Sequence, residues 1–459
     1  MEGRSRVRQV RARALLCLAV LNIFVLVAGF VALDVVRSRP PATMPYPVAF
    51  AEDAPDAAPQ DAPRVDPERL ADKLDDPMSD SGFADGLTAF VADAETGDRL
   101  FARDGDQTAV PASTTKIVTA VSALHAMGPS ARLSTDVVRD DNGGIVLVGG
   151  GDPTISTDGT FEHYPRPATM EDLAIKTAAA LRDDGVDSVS LSYDESLYSG
   201  SDMPPGWKPT YVTEGSAATV HALMLDGGRV YPEQHYSERV EDPPSVAADA
   251  FAEQLEEAGI EVAGAPAPGE APDGADPIAS VQSPPLSELV EWMMLESDNN
   301  IAEALFRQVA LAQGHDASSA GGTEAVDEIM TELGIDDVHI EDGSGLSVNN
   351  RITPKALVDL VLLAADPEHP GLHAALTGLP TAHFTGTLDD RYSPESGSYA
   401  GAGVVHAKTG TLNGVSTLAG TAQTADGRLL AFAFMANDPA AVASTLDTFT
   451  SVLAECGCS

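Results

Sequence analysis

Apolar positions along the chain change texture several times, and each texture predicts a different element. Residues 14–33 are twenty apolar positions interrupted only by Asn22 and Gly29, long enough to cross a bilayer as a helix. Residues 37–65 carry Pro, Ala and Asp with no apolar period, which predicts an extended, solvated linker. At about 3.1 Å per residue such a segment reaches on the order of 90 Å. Beyond it the pattern predicts a helix over 68–74, then strands at 87–92 and 99–102 joined by the turn Glu95-Thr96-Gly97-Asp98. A turn followed by an apolar helix is predicted over 111–124.

The middle of the chain reads differently. A short apolar strand at 144–148 runs into Gly149-Gly150-Gly151-Asp152-Pro153, and helices are predicted over 173–181 and 243–259. A Pro, Ala, Gly and Asp loop at 264–277 marks a boundary. Helical periodicity resumes over 285–305, 354–365 and 441–453, while strands at 415–421 and 429–435 flank the turn Ala425-Asp426-Gly427. Strand hairpin, helices, two strands and a closing helix with a foreign segment between them predict an α+β fold split by an insertion. The expected segments are 1–36 (basic flank and transmembrane helix), 37–65 (linker), 66–137 and 284–459 (the two parts of the split domain) and 138–283 (the inserted domain).

Composition narrows the function. The 459 residues carry a formal charge of −43, with 27 Lys and Arg against 70 Asp and Glu. A chain this acidic is a poor partner for nucleic acid, which is held by cations neutralising phosphate. Seven basic and two acidic residues precede Pro40, leaving 20 basic and 68 acidic beyond it. The arginines before the apolar run keep the N-terminus in the cytoplasm and send the rest outward, so the expected location is the plasma membrane, single-pass, with the folded part on the extracytoplasmic side. Cys17 lies in the apolar run, and Cys456 and Cys458 are read as a frayed tail with a strained or absent disulfide. No residue pattern predicts a metal or another cofactor.

Only six lysines occur, and two fall in short motifs. Ser113-Thr114-Thr115-Lys116 places a hydroxyl and an amine three residues apart, on one face of a helix beginning near Ser113. A serine becomes nucleophilic when a neutral base takes its proton, and burial or a nearby cation keeps lysine neutral. Ser297-Asp298-Asn299 lies between two apolar helices and by itself reads as an N-cap. Lys408-Thr409-Gly410-Thr411 comes directly before the strand at 415–421.

These three motifs, in this order, are those of penicillin-binding proteins and serine β-lactamases. Over residues 70–452 the chain resembles the class C low-molecular-mass penicillin-binding proteins, the peptidase S13 family of D-alanyl-D-alanine carboxypeptidases and endopeptidases. Further matches are Ala92-Asp93 and Thr96-Gly97, Gly149 to Thr154, Gly206-Trp207 with Tyr211, Ala302-Glu303, Asp342-Gly343-Ser344-Gly345-Leu346-Ser347, Thr353-Pro354 and Gly386-Thr387-Leu388.

The resemblance implies a serine β-lactamase/DD-peptidase-like transpeptidase domain, an antiparallel sheet flanked by helices. It also implies hydrolysis of peptidoglycan stem peptides through an acyl-enzyme, with β-lactams as inhibitors. Ser113 would be the nucleophile, Lys116 its base and Ser297 a proton relay. Asn299 would hold the substrate amide, Lys408, Thr409, Gly410 and Thr411 would bind substrate, and the backbone amides of Ser113 and Thr411 would form the oxyanion hole.

Two departures are visible. The stretch 223–247 leaves little room for a further small domain, and Val348 stands where relatives often place an arginine. Trp207 and Tyr211 could wall a pocket or pack a core. The rival readings are a β-lactamase or esterase on the same scaffold and a non-catalytic wall-binding protein.

Overall fold

The computed structural model describes residues 62–82, 86–159, 164–234 and 237–457. The chain divides into residues 1–61 and 62–459, and the described residues belong to the second unit. The expected membrane helix and nearly all of the linker lie outside them; among the described residues no helix is long and apolar enough to cross a membrane.

The first elements are α1 (Pro67–Asp80), the hairpin β1 (Leu87–Asp93) and β2 (Arg99–Arg103), and α2 (Thr115–Met127). Then come β3 (Ser134–Arg139), β4 (Ile145–Gly149), α3 (Met170–Asp183), β5 (Leu191–Asp194), α4 (Pro243–Glu257), β6 (Ala267–Pro268) and β7 (Ala279–Gln282). The chain closes with α5 (Leu286–Glu296), α6 (Asn299–Ala312), α7 (Ser319–Leu333), α8 (Pro354–Ala365), β8 (Val405–Leu412), β9 (Val415–Gln423), β10 (Leu429–Asn437) and α9 (Ala443–Ala454).

Two five-stranded sheets organise these elements. The first has the order β8-β9-β10-β1-β2, antiparallel throughout, so the two ends of the domain meet where Leu87 pairs with Ala436. Every residue of β1 is buried, because both faces of the sheet are covered. Phe90 and Ala92 point into a core shared with α2, α5, α6, α7 and α8, whereas Leu87, Ala89 and Val91 join a second core under α1 and α9. Alternate residues thus serve different cores, and helices flank an antiparallel sheet as the resemblance implied.

A bidentate pair locks the hairpin in place: Arg428 Nε and Nη2 each donate to Asp93 at 2.7 Å, and both side chains are buried. Burial pushes the Asp93 carboxyl up, but Arg428 and the amides of Glu95 and Thr96 outweigh it and hold the group low.

The second sheet, β6-β5-β4-β3-β7, encloses its own core with α3 and α4. Its strands β3 and β7 pair side by side, so the chain leaves the first domain after α2 and returns just before α5. In the described part of 223–247 there is one 3-10 turn, Asp226–Gly228, and a bridge between Arg229 and Arg239 before α4.

The structure departs from the sequence reading in three places. Lys408 to Thr411 do not precede a strand but lie within one, the edge strand β8. Helix α7 is not among the predicted helices, although Ala325, Val326, Ile329 and Met330 bury one face of it; its first turn contains Gly321 and Gly322, the second of which packs against Phe306. Cys456, expected in a frayed tail, is fully buried in the second core and is disulfide-bonded.

Candidate active site

Four buried or half-buried groups, the hydroxyls of Ser113 and Ser297 and the amines of Lys116 and Lys408, converge between α2, the α5–α6 junction and β8. Ser113 sits in a 3-10 turn, Ala112–Thr114, immediately before α2 rather than within it. Ala112 has a φ of 48°, in the left-handed region that non-glycine residues rarely adopt. The turn is anchored by Pro111, whose carbonyl accepts from Thr114 Oγ1 and Thr417 Oγ1, both at 2.7 Å. Gly410 permits close approach of β8: a Cβ there would lie 2.8 Å from Pro111 O and 3.0 Å from Ser113 N. Any side chain at this position would push the strand off the Ser113 amide.

Lys116 lies in the first turn of α2 and is fully buried. Its Nζ donates to Ser113 Oγ at 3.2 Å, to Asn299 Oδ1 at 2.7 Å and to Ser344 O at 2.7 Å, so three acceptors fix the amine. Burial lowers its pKa to about 8 against the opposing carboxylates of Asp342, Asp298 and Glu303. A neutral amine is therefore accessible near neutral pH.

The second motif occupies the break between two helices. Ser297 ends α5 in a left-handed conformation, φ 59° and ψ 37°. Its Oγ accepts from Lys408 Nζ at 2.9 Å. Asp298 caps α6 by accepting from Ile301 N at 2.9 Å and pairs with Arg229 Nη2 at 2.6 Å. Burial pushes the Asp298 carboxyl up, yet the Arg229 charge, the Ile301 amide and Arg239 together hold it far below the usual range. Asn299, expected to bind substrate, uses both ends of its amide within the protein: Oδ1 accepts from Lys116, and Nδ2 donates to Ser216 O at 2.8 Å.

Lys408 is also fully buried, donating to Ser297 Oγ and, at 3.0 Å, to Thr409 O. Burial, then the charge of Lys116, push its pKa well below the lysine range, with Glu296 opposing. Two dry ammonium groups at one site disfavour each other. Thr409 Oγ1 meets Thr387 Oγ1 at 2.8 Å, and Thr411 is exposed on the same strand.

The sequence reading quoted Asp342, Ser344 and Glu303 without giving them a role. Asp342 organises the 342–347 loop, its two oxygens accepting from Trp207 Nε1 (2.7 Å), Ser344 Oγ (3.1 Å), Ser347 N (2.8 Å), Gly345 N (3.0 Å) and Asn350 Nδ2 (2.7 Å). This aims the Ser344 carbonyl at Lys116. Glu303 Oε1 accepts from Ser344 N at 2.8 Å, and burial, reinforced by Asp342, pushes its pKa up to about 8. The signal available in the sequence was an acidic residue leading a run of Gly and Ser.

Trp207 and Tyr211 prove to be packing residues, edge to face at 6.1 Å in a buried cluster with Leu346. Val348 is exposed, and Arg351 Nη1 is engaged by the carbonyls of Val348 and Asn350.

A model of the D-Ala-D-Ala carboxypeptidase 3 (S13) family matches residues 70–237 and 232–455. Carboxypeptidase DacB of Mycolicibacterium smegmatis is 37% identical over 379 residues, 81% of each chain. A carboxypeptidase of Mycobacterium tuberculosis is 36% identical over 382 residues, again 81% of each. Penicillin binding protein 4 of Haemophilus influenzae, whose structure is also known in complex with a β-lactam, superposes with a TM-score of 0.65 at 22% identity, covering 84% of this chain and 98% of its own. That likeness establishes the fold.

Proposed function

The chain belongs to the D-Ala-D-Ala carboxypeptidase 3 (S13) family, and we propose that it is a penicillin-binding serine D-Ala-D-Ala carboxypeptidase acting on peptidoglycan stem peptides. The observation that carries this reading is the buried Lys116 amine, 3.2 Å from Ser113 Oγ with its pKa lowered to about 8.

Ser113 Oγ attacks the carbonyl between two D-alanines while Lys116 takes its proton; general-base assistance of this kind contributes about 10²–10⁴-fold. The developing oxyanion is received by the backbone amides of Ser113 and Thr411, a contribution of about 10²–10³-fold for each such donor. Lys408 and Ser297 pass a proton to the departing amine, while Thr409 and Thr411 receive the terminal carboxylate beside Gly410. Asn299 holds Lys116 in place and borders the substrate amide. The arriving carboxylate also favours the charged form of Lys408, and that charge in turn favours neutral Lys116. Substrate binding thus sorts one proton between two lysines. Water then hydrolyses the ester.

The proposal includes a single-pass anchor at residues 14–33 with the catalytic part outside the plasma membrane, supported by the basic flank and apolar run of the sequence. Protease added to spheroplasts is expected to digest the catalytic part, and protection would overturn that orientation. The enzymatic reading is tested by labelling the purified chain with a fluorescent penicillin and measuring D-Ala release from a pentapeptide. Stable labelling that is absent in Ser113→Ala supports it. Failure to label sinks it, and rapid loss of label points to a β-lactamase.

A further inference from the structure

Lys408, the cation of the third motif, gives its buried amine to Ser297 Oγ at 2.9 Å and to Thr409 O at 3.0 Å. What β8 itself offers a carboxylate directly is therefore the hydroxyls of Thr409 and Thr411. A hydroxyl has one proton, rotates, and accepts as readily as it donates. Recognition of an anion then depends on what decides where that proton points. At Thr409 the deciding neighbour is Thr387: the two Oγ1 atoms lie 2.8 Å apart, an ordinary O–H···O separation in which either can donate.

Thr387 is carried there by a turn fixed on both sides. It is the middle residue of the 3-10 turn Gly386–Leu388 and stands 22 residues before its partner. Gly386 has a φ of 55°, and a Cβ on it would lie 2.3 Å from Leu295 O, so the turn presses against the last turn of α5. On the other side Leu388 is fully buried in the second core, its carbonyl accepting from His383 N at 2.9 Å and its amide donating to Thr385 O at 3.3 Å. Thr387 and Thr409 are both half-buried, so neither hydroxyl is sealed from a ligand. Among the described residues, Thr409 is the hydrogen-bond partner of the Thr387 side chain.

We propose that Thr387 is a positioning residue for carboxylate recognition: its hydroxyl donates to Thr409 Oγ1 and so turns the Thr409 proton toward the terminal carboxylate of the substrate. This rests on the carboxypeptidase reading above, which puts that carboxylate at Thr409 and Thr411. A carboxylate only accepts, so once it binds, Thr409 is committed as its donor and the Thr387–Thr409 bond keeps one direction. The resulting O–H···O–H···O⁻ series is one in which each bond polarises the next. A carboxamide end presents an NH2 group as well as an oxygen and meets Thr409 in either direction. It gains little from the sorting, so Thr387 makes the strand selective for an acid.

The test measures kcat and KM for the purified full chain, Thr387→Val and Thr387→Ser on a pentapeptide ending in D-alanine and on the same peptide ending in D-alanine amide. Competent sites are counted with saturating fluorescent penicillin, so a variant that folds poorly lowers the count and not the rate per site. A hydrogen-bond donor serving a charged acceptor is worth roughly 5- to 15-fold. Thr387→Val keeps the shape and drops the hydroxyl. It is expected to lose that factor in kcat/KM on the acid, mainly through KM, and several-fold less on the amide, while Thr387→Ser recovers the acid to within about twofold of wild type. Undiminished hydrolysis of the acid by Thr387→Val, an equal loss on acid and amide, or no recovery in Thr387→Ser would each overturn the positioning role. A wild-type chain that trims both peptides equally well overturns the placing of the carboxylate at Thr409, and the role with it. One that neither labels nor trims either peptide overturns the carboxypeptidase reading itself.

Discussion

Lys408 Nζ donates to Ser297 Oγ at 2.9 Å, joining two motifs 111 residues apart through a left-handed serine and an edge strand. Because Lys408 is fully buried, that hydroxyl is one of its two hydrogen-bond acceptors, the other being Thr409 O. Ser297→Ala is expected to slow penicillin acylation by about 10²–10³-fold through loss of the relay. Stopped-flow labelling measures it, and a loss below about threefold would remove Ser297 from the proton path.

With Lys116 as the proposed base, its amine sets the pH dependence. Its pKa is lowered to about 8, so the neutral amine grows as pH rises, and the acylation rate should climb through that value before levelling. Glu303, pushed up to about 8, ionises over the same range and opposes deprotonation of Lys116. Glu303→Gln keeps the oxygen that accepts from Ser344 N and removes that charge. Its acylation profile is expected to rise at lower pH than the wild type's, with Asp342 and Arg307 the other charged groups facing it. An unshifted profile would show that Glu303 acts by shape alone.

A substrate without the terminal carboxylate gives a second reading of the same network. A peptide ending in D-alanine amide does not favour charged Lys408, so Lys116 retains its proton to higher pH. The rise in kcat/KM is expected to move upward relative to the free acid, and coincident profiles would separate the two lysines.

Arg229, in the stretch between β5 and α4, reaches Asp298, the residue next to Ser297. Arg229→Met leaves a buried carboxylate short of its main partner and should cost about 3–5 kcal/mol in thermal or denaturant unfolding. The Asp298 carboxyl is held low in the folded state, so its stabilisation is present above the unfolded value near pH 4 and fades as pH falls below it. The variant's deficit is therefore expected at pH 7 and to shrink in acid.

Arg428 and Asp93 offer the corresponding test away from the site. Arg428→Met breaks a bidentate buried pair and removes the partner that keeps the β1–β2 turn against β10. Unfolding should be easier by about 3–5 kcal/mol, while the penicillin acylation rate of the folded fraction remains close to wild type. A large drop in that rate would mean that the hairpin also shapes the cleft.

The chain itself determined the candidate motifs and most elements. Helix α8 follows directly from the 354–365 period, and Ser113 with Lys116 is legible because three residues nearly complete a helical turn. Continuous apolar stretches such as β1 revealed burial but not which core each residue serves. Only the tertiary structure decided that Lys408 sits inside an edge strand, that Asn299 is consumed by Lys116 and Ser216, and that Asp342, Ser344 and Glu303 complete the base's surroundings. The physical reason is range. Helical period and capping are local properties of neighbouring residues, whereas the pKa of a lysine is set by what folding brings around it, here burial first and then the carboxylates of Asp342, Asp298 and Glu303, 182 to 226 residues away in the chain.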